Sequence, residues 1–142
     1  MRNVSHILER KGNRVVSVAG QAPVLEAIRL MAEHHIGAVL VMHGEELIGI
    51  ASERDYARKV ILQGRSSSDT PVATIMSSPV VCVGPQHSVA DCMAIMTEKH
   101  IRHLPVMEDG RVAGMVSIGD LVKELIAEQQ QEISYLQQYI AS

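Results

Sequence analysis

The sequence predicts a mixed α/β (α+β) fold made of two β-α-β-β-α repeats related by a pseudo-twofold axis. Three observations carry that reading. The segment from Val15 to Gln63 aligns without a gap onto Val80 to Glu128, a shift of 65 positions. Short β-branched runs alternate with apolar stripes at helical spacing. Paired apolar runs flank polar tips in the manner of hairpins.

Each copy opens with a β-branched run, VVSV or VVCV, that reads as a strand. A helix follows, with Pro23 at an early position that tolerates it and Val24, Ala27, Ile28 and Met31 on one face; Val89, Cys92, Met93 and Met96 repeat that face. AVLVM and HLPVM, tips at HGEE or EDGR, and then LIGIA or VAGMV read as hairpins. Their nearly continuous apolar character is that of strands covered on both faces. Second helices are expected from Ser52 to Gln63 and from Ser117 onward.

Residues 64–79, GRSSSDTPVATIMSSP, join the copies as a Ser-rich loop and a short helical piece, with Thr70 a cap before Pro71. VSHIL near the start resembles VATIM in this linker, so each copy is preceded by a short helix. The resulting division is 1–66, the first repeat with its N-terminal helix, and 67–142, the second with the linker helix and an extended C-terminal helix.

At 142 residues and 46% hydrophobic, the chain has the material for a core. A formal charge of -3 gives no basic field for nucleic acid, and the absence of Trp and Phe removes a base-stacking platform. Cys82 and Cys92 form no disulfide or zinc pattern and read as buried thiols of a reducing compartment. No apolar run is long enough to span a bilayer and the start lacks a signal-peptide pattern, so the expected location is cytoplasmic with no membrane partner.

GIASERD, Gly49 to Asp55, and GMVSIGD, Gly114 to Asp120, are the strongest local signal. Two readings stand side by side. Ser-x-x-Asp at a strand-to-helix junction is a capping box, Ser52 or Ser117 at the N-cap and Asp55 or Asp120 three residues on. The same geometry offers amides and a hydroxyl to phosphate, a carboxylate to ribose hydroxyls, and a glycine over which a ligand can approach the backbone. Recurrence of all three features favours a nucleotide site.

These repeated Gly-apolar-x-Ser-x-x-Asp endings, together with KHIRHLPV from Lys99 to Val106, resemble the tandem cystathionine-β-synthase-type (CBS) domain pair over nearly the whole chain, most nearly its small stand-alone bacterial members. The resemblance implies a regulatory module that senses energy or redox state by binding AMP, ATP/ADP or NAD(H) in clefts between the repeats, with no catalysis. It further implies that Asp55 and Asp120 hold ribose hydroxyls, that Ser52 and Ser117 face phosphate or ribose, and that Ile50 and Met115 line adenine slots. Ser17, Val18, Ala38 and Cys82 are implied as backbone or wall contacts. Arg102 and His103 replace Gly37 and Ala38 of the first copy, while Arg54 is matched by Gly119, so two unequal sites are expected with Arg54, Arg102 and His103 around the phosphate.

His34 with His35 and His100 with His103 lack a metal-site spacing, and no nucleophile, base and orienter group together, so neither a metal nor an enzyme is expected. The tail carries Leu121, Leu125, Ile133, Leu136 and Ile140 on a helical stripe, interrupted by EQQQE. It either packs on its own globule or contacts a partner. A homodimer is expected from the frequency of isologous pairs and from the resemblance. The alternative reading is an interaction or dimerisation module that binds no nucleotide.

Overall fold

The computed structural model of the chain describes residues 2–141 and consists of two compact units. One runs from Val15 to Val81; the other joins the segment through Arg14 to the chain from Cys82 onward. This differs from the sequential division at 66/67. Each short leading segment belongs to the unit other than the one it precedes in the sequence.

In the Val15–Val81 unit, β1 (Ser17–Ala19) runs parallel to β2 (Ala38–His43), which pairs antiparallel with β3 (Glu46–Ser52). Val18, Val39, Val41 and Ala51 cover one sheet face, on which Val24, Ala27 and Met31 of α2 (Val24–His34) pack. The expected second helix is short: α3 (Glu53–Tyr56) passes into a π-helical turn, Ala57–Ile61, that buries Val60. Pro23 stands at the N-cap of α2, one position before the helix proper. Thr70 does not cap the 3₁₀ turn Val72–Thr74; its hydroxyl donates to the Ser66 carbonyl at 2.7 Å and closes the Ser-rich loop.

The second unit holds α1 (Val4–Lys11), α4 (Val89–Lys99), the hairpin β4 (His103–Glu108) and β5 (Arg111–Ser117), and α5 (Ile118–Ala141). VVCV does not become a full strand here. Val83 alone forms a parallel bridge, to Val106, donating to Pro105 and accepting from Met107.

The duplication holds at the level of single bonds. Both hairpins turn through two residues; positive φ at Asp109 and Gly110 suits the Asp-Gly tip, and Gly44 alone supplies it in the other. Both carry a bulge one residue before a glycine, after Val41 and after Val106 on the facing strands. His35 and His100 end α2 and α4 in the left-handed region, so this repeated histidine is a helix C-cap in each unit.

VSHIL and VATIM dock identically in their respective units. Val72 and Ala73 donate to the carbonyls of Ala22 and Gly20, and Val4 and Ser5 to those of His87 and Pro85. Val4, Ile7, Val72 and Ile75 are buried.

Candidate functional site

The end of each hairpin brings the predicted residues together within its own unit. In the first, Ala38 pairs with Ser52 and Leu40 with both Ser17 and Ile50, so Ser17, Ala38, Ile50 and Ser52 share one sheet face. Val18 points the other way, into the core beside Val39 and Ala51, so its side chain is no site wall. Arg54 is exposed on α3.

Ser52 and Asp55 form a reciprocal capping box. The Asp55 amide donates to Ser52 Oγ at 3.1 Å, and the Ser52 amide and hydroxyl both donate to Asp55 Oδ2 at 3.0 Å. Lys59 Nζ pairs with Oδ1 at 3.2 Å and donates to the Ile75 carbonyl at 2.9 Å. The carboxylate is therefore engaged at both oxygens, and its side chain is 12% exposed.

The second unit repeats the box with different support. The Ser117 amide donates to Asp120 Oδ2 at 2.8 Å and the Asp120 amide to Ser117 Oγ at 3.2 Å. The cation here comes from α1: Lys11 Nζ donates to Asp120 Oδ2 at 2.7 Å and to the Met115 carbonyl at 2.8 Å. Burial pushes the Asp120 carboxyl up, but the hydrogen bonds from Lys11 and Ser117 and the ammonium charge outweigh it and hold the carboxyl below its ordinary value. The side chain is 18% exposed.

His103 faces Ser117 across the hairpin and Pro105 faces Met115, so His103, Met115 and Ser117 share one face; Arg102 is exposed just before it. Burial, aided by the charges of Lys11 and Arg102 and opposed by Asp120, holds the His103 imidazole below its ordinary value. Cys82 is half-buried with its thiol pushed up by burial; burial and Asp91 push Cys92 to about 11, leaving it an unreactive packing thiol. No group of three or more His, Cys, Asp or Glu among the described residues is arranged to hold a metal ion.

One expectation is overturned. Gly49 and Gly114 do not open the backbone to a ligand, because the docked segments cover them. A Cβ on Gly49 would lie 2.8 Å from Met76 Cγ, and one on Gly114 2.8 Å from Leu8 Cδ2. The glycines admit a packing side chain.

Lys11 was not among the predicted residues. Its sequence neighbourhood marks it only as a basic helix end, and its partner lies 109 positions away. Beside it, α1 and the residue before Asn3 make a second charged contact that the sequence also conceals: Arg2 Nη1 lies 2.9 Å from Glu124 Oε1, and Arg10 of α1 forms an ion pair with Oε2. These groups, with His6 and Glu9, line a shallow cavity of about 320 Å³.

The model of the CBS domain matches residues 4–61 and 72–127. The chain belongs to the CBS-domain family. It is 43% identical over 122 residues to the mitochondrial CBS domain-containing protein CBSX3 of Arabidopsis thaliana, covering 82% of this chain but only 59% of that protein's length. It is 32% identical to YhcV of Bacillus subtilis, over 83% of this chain and 84% of that one. Among solved structures, a CBS-domain protein from Burkholderia ambifaria superposes with a TM-score of 0.86 at 49% identity, covering 89% of this chain and 96% of that one. One from Agrobacterium tumefaciens gives 0.82 at 39% identity, over 86% and 98%. The architecture is that of a CBS pair, and CBS-pair proteins are regulatory modules.

Proposed function

We propose that the chain is a regulatory module that binds an adenosine nucleotide, AMP, ATP/ADP or NAD(H), and so senses energy or redox state, with the stronger site at the Ser117–Asp120 corner. The observation that supports this is the state of Asp120. Its carboxyl is held ionised, and the bonds from Lys11 and the Ser117 amide converge on Oδ2, whereas Asp55 has Ser52 on one oxygen and Lys59 on the other. A carboxylate accepts about four hydrogen bonds, so Oδ1 of Asp120 is the better placed to take a ribose hydroxyl. His103 stands near it, where the first unit has Ala38.

Isothermal titration with AMP, ATP and NADH tests the reading. Asp120→Ala is expected to weaken binding at least about tenfold, one decade being about 1.4 kcal/mol, and Asp55→Ala less. Unchanged affinity in Asp120→Ala removes Asp120 from the site.

The capping boxes support a second reading, in which both corners serve only their helices and the chain is an interaction module. Thermal shift with AMP, ATP, NADH and S-adenosylmethionine separates the two, since a ligand that binds only the native state raises Tm. No shift with any of them favours the second reading.

A further inference from the structure

The apolar residues of α5 are buried near its start and bare beyond Glu128. Leu121 and Glu124 are fully buried, and Gln131, one heptad after Glu124, accepts from Arg2, just before α1, at 3.0 Å. That face belongs to the helix's own unit. Val122, Ile126, Gln129, Ile133, Leu136 and Ile140 follow one another at alternating steps of four and three, on a face turned away from Glu124 and Gln131. Beyond Glu128 every described residue of α5 is exposed; Ile133 is 54%, Leu136 62% and Ile140 83% accessible.

We propose that this face is the seam of a two-stranded parallel coiled coil between two copies of the chain. The average spacing of 3.5 residues is the coiled-coil period, and it sets isoleucine at the a positions 126, 133 and 140 and leucine at d position 136. β-Branched residues at a with leucine at d favour two parallel strands. Gln129 falls at a d position, where in a parallel pair two copies of it face each other across the seam. From Gln129 to Ala141 the helix carries a single charge, Glu132 at a g position, which in a parallel pair faces Gln137 of the second copy and meets no like charge.

The area suffices. The exposed part of these side chains amounts to on the order of 500 Å² per helix, so pairing buries roughly the 1,000 Å² that a specific interface clears. Gln129 interrupts the apolar face with an amide that a paired helix can hydrogen-bond and an acyl-chain surface cannot. This inference does not rest on nucleotide binding.

Sedimentation velocity on the full chain tests it at tens of micromolar. The dimer is expected for the parent chain, and for Ile133→Glu/Leu136→Glu a monomer that still unfolds cooperatively, because both side chains are exposed in the single copy; its Tm falls only by the lost association. Leu136→Cys is expected to cross-link to its counterpart on mild oxidation and the parent chain not to. A monomeric parent chain, a dimer that survives the double substitution, or binding of phosphatidylcholine vesicles by a monomeric parent chain overturns self-pairing through this face. A dimer whose Leu136→Cys variant stays uncross-linked overturns the parallel arrangement.

Discussion

Lys59 and Glu124 occupy the same position of the two repeats, 65 residues apart, with opposite charge. Lys59 closes an ion pair with Asp55 on its own helix, so the first corner is electrostatically self-contained. Glu124 cannot do this for Asp120. It turns to Arg2 and Arg10, while Lys11 serves Asp120, so three cations of the leading segment hold two carboxylates of α5.

Removing the cations should therefore cost more than removing the acid. With Arg2 and Arg10 both changed to Met, a carboxylate only 1% exposed loses its partners, and a destabilisation of about 3–5 kcal/mol is expected in urea unfolding. Glu124→Met leaves two guanidinium groups that already reach solvent, 30% and 53% exposed, and should cost clearly less. The reverse order would refute a charge-led role for this contact.

The covered glycines predict a coupling. Gly114→Ala forces Leu8 aside and should cost about 1–3 kcal/mol, as overpacking does. Leu8→Ala makes room for the new methyl, so the double variant is expected to be more stable than the sum of the single changes predicts. Gly49→Ala with Met76→Ala should behave alike. Additive effects in both cycles would show that neither glycine is held by its cover.

Stability should rise with pH through the His103 transition. Its folded value lies below the ordinary value of about 6.5, so between the two the unfolded chain binds more protons and acid favours unfolding. Urea midpoints are expected to fall from pH 7 toward 5, and less so in His103→Gln. Asp120, also depressed, adds stability that is complete above about pH 3.9 and is lost as pH falls through its folded value, a loss Asp120→Asn should remove. Equal slopes in variant and parent would discount either group.

Local chemistry made much of this legible. The 65-residue repeat, the hairpins and the Ser-x-x-Asp boxes are set by residues near one another in the chain, and each stands where the pattern placed it. What failed was long-range or a matter of facing. VSHIL and VATIM are alike in sequence, yet likeness says only that they dock alike, not on which unit. Val18 and Ser17 are neighbours in one strand and point to opposite faces, so a family contact assigned to both could hold for one side chain only. Leu121 and Leu136 fall on one stripe, 15 residues being about four turns, but the first is buried and the second bare because every described residue of α5 beyond Glu128 is exposed. VVCV has the composition of a strand and makes a single bridge, since strand propensity without a full partner is not enough.

The discontinuity of the second unit bears on synthesis. Everything in the Val15–Val81 unit emerges from the ribosome as one uninterrupted stretch, whereas Val4, Ile7 and Leu8 have nowhere to dock until the hairpin ending at Ser117 has been translated. A vectorially made chain thus makes the whole Val15–Val81 unit while the segment before it still waits, and that wait closes a loop of more than sixty residues before the second globule can form.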